Sequence, residues 1–117
     1  MKVPSLLPIA ALLAATALPC GVAVAQPASS GPGAMRCTVV IGRLSSQNAA
    51  ERMPVLSWVQ GYLSGMASAR SASDQASALV VPEYDALQPL ILTLCKSDPT
   101  ASLYHVASNF PLRPRER

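Results

Sequence analysis

PVLSWVQGYLSGMASAR, residues 54–70, is the stretch that decides the fold class. Val55, Trp58, Val59, Tyr62, Leu63 and Met66 recur at i, i+3, i+4, i+7 and i+8, the stripe of a helix with one face in a core. Pro54 suits a first helical turn, where its missing N–H costs nothing. Gly61 and Gly65, with Ser57 and Ser68, put small residues on an adjoining stripe. Glycine costs about 1 kcal/mol inside a helix, so the pair predicts a helix-packing role in which another backbone comes close. Gln60, Ser64 and Ser68 argue against a membrane helix built on the same GxxxG spacing. Trp58 and Tyr62 lie one turn apart. They serve either the core or an exposed partner-binding face.

Working outward, a second helix is predicted from Asp85 to about Lys96. Asp85 and Gln88 form a capping-box-like start, and Leu87, Leu90, Ile91, Leu94 and Cys95 share one face. Pro89 at its fourth position removes one hydrogen bond. A third helix is predicted to open with Asp98 as N-cap and Pro99 at its first position. It carries Leu103, Val106, Ala107 and Phe110 on one face and stops before Pro111. Upstream, Cys37, Val40, Ile41 and Leu44 fit a short helix over 37–44, with the β-branched run Thr38–Ile41 leaving a strand as the alternative. Residues 71–83 join these parts in a conformation that the pattern does not specify. The expected fold is all-α, about four helices over residues 37–110. A disordered leader is expected at 26–36 (QPASSGPGAMR) and a disordered basic tail at 111–117 (PLRPRER).

The first 25 residues carry an address. Lys2 is followed by an apolar run from Leu6 to Leu18, a break at Pro19 and Gly21, then Ala23-Val24-Ala25 before Gln26. A basic start, a short apolar stretch and an A-x-A site are the marks of a cleaved secretory signal, which places the mature chain in the periplasm with no stable membrane insertion after cleavage. Cleavage removes Cys20 and leaves Cys37 and Cys95 of the three cysteines. An even count in an exported chain predicts one disulfide, Cys37–Cys95, two free thiols being the alternative.

Composition excludes several classes of function. The 117 residues allow one small domain, and only 13% are charged. A net charge of +3, spread along the chain, does not make a nucleic-acid footprint. His105 is the one histidine and is expected at the surface. Asp74, Glu83, Asp85 and Asp98 do not form an acid/base pair, and CxxC, HxxxH and glycine-rich phosphate loops are absent from the sequence. No catalytic residue, no metal site and no cofactor are expected, and the chain reads as a non-enzyme.

Cys37, then WVQGYLSGM at 58–66, then Cys95 followed by a D-P-x-x-S-L segment resembles the HdeA/HdeB-type periplasmic acid-stress chaperones over about residues 37–110. The resemblance implies a compact helical domain with one disulfide joining distant helices. It also implies an activity: loosening in acid and holding unfolded periplasmic proteins on apolar helical surface. Acid sensing in that family depends on many carboxylates, and the chain after residue 25 has six. The aromatic-glycine helix also resembles type VI secretion immunity proteins of the Rap1a/Tai kind, which bind a cell-wall amidase toxin. Those carry a further cysteine soon after the Gly-Tyr helix, which this chain lacks before Cys95. The partners implied are unfolded envelope proteins or one protein partner, with a homodimer left open. An envelope protein without a client is the third reading. Intact-mass analysis of exported protein is expected to give a chain beginning at Gln26; retention of residues 1–25 would contradict the signal reading.

Overall fold

The structure, a computed structural model, describes residues 30–74 and 78–115. The proposed signal peptide and residues 26–29 lie outside it. Four α-helices dominate: α1 (Cys37–Leu44), α2 (Ala49–Asp74), α3 (Tyr84–Ser97) and α4 (Leu103–Ser108). A 3-10 turn at Gly31–Ala34 precedes them. Two short strands, β1 (Leu79–Val80) and β2 (Arg113–Pro114), pair antiparallel. The fold is all-α with one disulfide, as the sequence predicts, and residues 37–44 are helix.

The core is wholly apolar. Cys37, Val40 and Leu44 of α1 meet Val55, Leu56, Val59 and Leu63 of α2. Leu87, Ile91 and Cys95 come from α3, and Leu103, Val106 and Phe110 from α4 and its exit. Among the described residues no polar or charged side chain is buried. Cys37 and Cys95 are fully buried and bonded, with Cα atoms 4.9 Å apart across 58 positions of chain. In a domain with so small a core, closing a loop of that length contributes about 4 kcal/mol in the chain-entropy account.

α1 has eight residues and is too short to hold itself in water. Its ends are satisfied from elsewhere. The Cys37 and Thr38 amides donate to the carbonyls of Ala101 and Pro99, at 2.9 and 3.3 Å. Gln88 Nε2 donates to the Leu44 carbonyl at 2.9 Å. These bonds correct two expectations. Gln88 does not return to Asp85 in a capping box; α3 starts after Glu83, without a side-chain cap. Residues 98–102 are not the first turn of the next helix: the Pro99 and Ala101 carbonyls accept from the first amides of α1. Asp98 accepts from the Thr100 amide and hydroxyl in a tight turn, and α4 begins after Ser102, whose Oγ accepts from the His105 amide at 3.1 Å.

α2 starts five residues earlier than Pro54 suggests and runs on to Asp74. Asn48 Oδ1 accepts from the Ala50 amide at 2.9 Å and its carbonyl takes the Glu51 amide, which caps the helix well before the proline. Pro54 is therefore inside the helix, on an exposed face.

Three further expectations are corrected. The stretch from Ser30 to Arg36 is not disordered: a Cβ at Gly33 would strike the ring of Trp58, Gly31 uses a left-handed φ of +62°, and Leu103 N donates to Met35 O at 2.8 Å. The tail is ordered to Arg115, whose amide donates to Ala78 O at 2.8 Å beside the β1–β2 pair. Gly61 and Gly65 pack against nothing among the described residues; a Cβ at either would meet open space. Gly61→Ala and Gly65→Ala are therefore expected to raise stability by about 0.5–1 kcal/mol each. Gly33→Ala, which forces the Trp58 ring to move, is expected to cost about 1–3 kcal/mol. Thermal melts of the three variants check both signs.

Candidate functional site

α3 carries more apolar surface than the core takes. Leu87, Ile91 and Cys95, four residues apart, fill the buried stripe, and all three are completely buried. Leu90, expected on that stripe, instead turns to the next face and is 45% exposed. Ala86, Thr93 and Leu94 lie along the same side of the helix and form one wall of a groove.

The opposite wall comes from the strand pair. The register sets Val80 across from Arg113, so their side chains stand on one face of the ribbon, and both line the groove. Val80 is 43% exposed. Pro82, Phe110 and Pro111 close the remaining sides, with Phe110 reaching down into the core. The groove holds about 450 Å³ and is almost wholly apolar. That volume is in the range of about 300–1,000 Å³ found for small-molecule sites. Thr93 Oγ1 is turned back to the Pro89 carbonyl at 2.9 Å. Among the described residues, Arg113 brings the one charge of the lining.

Trp58 and Tyr62 are brought together as expected, stacked at 5.5 Å with 13° between their planes. Tyr104 of α4 meets Tyr62 edge-on, also at 5.5 Å. The aromatic face is not left open for a partner, since the Gly31–Ala34 turn lies on Trp58 and Tyr104 covers the edge of Tyr62. All three side chains are half-buried, and Trp58 and Tyr62 lie against the core. Burial raises the Tyr62 phenol above its ordinary value. The neighbouring Tyr104 hydroxyl acts in the same direction, and Arg70 opposes it.

His105 is exposed, as predicted, and borders a smaller hollow of about 160 Å³ beside Asp98. The Asp98 carboxylate is held there by Thr100. Among the described residues no three His, Cys, Asp or Glu side chains gather where they would hold a metal ion. Nor is any described helix long and apolar enough to cross a membrane. Comparison with protein-family models, with curated proteins and with solved structures found no match to the chain.

Sequence reasoning missed the groove. The stripe Leu87, Leu90, Ile91, Leu94 and Cys95 has the ordinary width of a core-facing helix, so its spacing does not mark Leu90 as the outward member.

The raised Tyr62 phenol has a consequence at high pH. In the unfolded chain it ionises near its ordinary value of 10.0, while the folded state keeps the proton to higher pH. Its contribution is complete below pH 10 and declines as pH rises through the folded value. In Tyr62→Phe that alkaline decline is expected to be smaller, as read from denaturant midpoints between pH 9 and pH 11.

Proposed function

We propose that the chain is an exported, non-catalytic binding protein that works with its fold intact, taking apolar groups into the groove between α3 and the β1–β2 ribbon. The observation that carries this reading is the groove itself. Val39, Met53, Val80 and Leu90 are the large apolar side chains left exposed among the described residues, and of these Val80 and Leu90 stand on facing walls of one concavity. Isolated exposed apolar residues are ordinary, but facing ones around a concavity mark a binding surface. Export is supported by the signal-like first 25 residues and by a disulfide, which persists in an oxidising compartment. The groove's lining offers the chemistry of retention, not of bond cleavage: aliphatic and aromatic carbon, two prolines, a threonine already bonded to its own helix and one guanidinium.

The resemblance to acid-stress chaperones supports a holding role and suggests a trigger at low pH. The packing favours holding without that trigger. Glu51, Glu83, Asp85 and Asp98 are all exposed, so acid finds no buried charge to neutralise among these four. What acid does is raise the net charge. Without Lys2 the chain has eight basic and six acidic residues, +2, and protonating all six carboxylates takes this to +8. That repulsion acts on a core cross-linked between α1 and α3.

A neutral solvatochromic dye is expected to bind at pH 7, with far-UV circular dichroism unchanged between pH 7 and pH 3. Leu90→Asp, which alters an exposed position, is expected to abolish dye binding and leave the melting temperature within a few degrees of the parent. Dye uptake and suppression of client aggregation confined to pH 3, with loss of helix, would overturn this reading in favour of an acid-triggered chaperone.

A further inference from the structure

We infer that the groove's occupant is a single-chain amphiphile with an anionic head: a long-chain fatty acid or a monoacyl phospholipid, its chain along Leu90 and Phe110 and its head at Arg113. This rests on the groove being the binding site proposed above and goes on to name its ligand.

Two features of the lining choose between an acyl chain and a polypeptide. An extended peptide carries an N–H and a C=O at every residue, and each costs free energy if buried without a partner. The groove supplies almost nothing to pair with them. Pro82 and Pro111 have no amide hydrogen. Arg115 N already donates to Ala78 O at 2.8 Å within the ribbon, and Thr93 Oγ1 is bonded to Pro89 O. An acyl chain has no backbone polar groups to satisfy, so its burial is opposed by no such cost and is favoured in proportion to the apolar area it covers.

The second feature is the charge. Arg113 stands at the groove's edge, opposite Val80 in the β pair, and is the one charged side chain that lines it among the described residues. A guanidinium at the mouth of an apolar cleft is complementary to a carboxylate or phosphate. It binds either through paired N–H···O bonds in a planar fork. An apolar body and one cation at the rim therefore match a ligand with an apolar body and one anion at its end.

The test is displacement of the neutral dye at pH 7 by palmitate, by lysophosphatidylglycerol and by uncharged monopalmitoylglycerol, all below micelle formation, with an apolar twelve-residue peptide as the fourth competitor. Palmitate or lysophosphatidylglycerol is expected to displace the dye at a concentration about tenfold lower than monopalmitoylglycerol, and Arg113→Gln is expected to remove that difference. Whichever of the two anions competes better identifies a carboxylate or a phosphate head. Ala86→Trp, which fills the groove from an exposed helical position, is expected to block every competitor and the dye. Equal displacement by charged and uncharged lipids, or displacement by the peptide alone, would overturn the inference and leave the groove as a binding site. Failure of the dye itself to bind would remove the groove reading beneath it. Conversion to a dimer on sedimentation, with dye excluded from the dimer, would make a second copy the occupant and overturn the inference also.

Discussion

Everything in this molecule depends on how one short helix is held. α1 has eight residues, too few for its own hydrogen bonds to offset the entropy of forming them. The rest of the chain holds it at four points: the bond from Cys37 to Cys95, the two carbonyls of the 99–101 turn that receive its first amides, and the Gln88 side chain that donates to its last carbonyl. Those anchors fix where α3 and the 98–102 turn lie. They also fix the face that α3 turns outward, since a helix pinned at Gln88 and Cys95 has no freedom to rotate about its axis. The exposure of Leu90 follows from that constraint, and the groove follows from Leu90.

The helices were legible in the sequence because their signals are local. The stripes of α1, α2 and α3 and the pairing of the two cysteines could be read from spacing and count. What could not be read depends on bonds between distant parts of the chain. Residues 98–102 carry good helix-start chemistry, Asp98 followed by Pro99, yet they form a turn because α1 needs their carbonyls. Residues 30–36 look like linker, rich in glycine and proline, yet glycine at 33 is what lets the turn lie flat on Trp58. Arg113 and Pro114 look like a loose tail and become a strand only because Leu79 and Val80 lie beside them.

Gly61 and Gly65 failed in the opposite direction. Spacing at i and i+4 implied contact, but spacing shows only that two residues share a face, and α2 turns that face outward. The same lesson covers Trp58 and Tyr62: spacing placed them together, while the Gly31–Ala34 turn and Tyr104 decided that the pair is covered. The candidate site was the least legible part. Its walls come from an exposed helix residue, a segment with no clear pattern and a stretch that composition marks as disordered, and only the three-dimensional arrangement brings them into one cleft.

The bonds joining Cys37 to Ala101 and Met35 to Leu103 bear on the speed and order of folding. Helical domains commonly fold fast because most of their interactions lie close together in sequence. Here the first helix is completed by residues more than sixty positions downstream, as though it were a strand awaiting a distant neighbour. A chain emerging from one end to the other must carry its first segment unstructured until the turn before α4 is available, so the N-terminal helix, first in sequence, is among the last parts of the molecule to become secure.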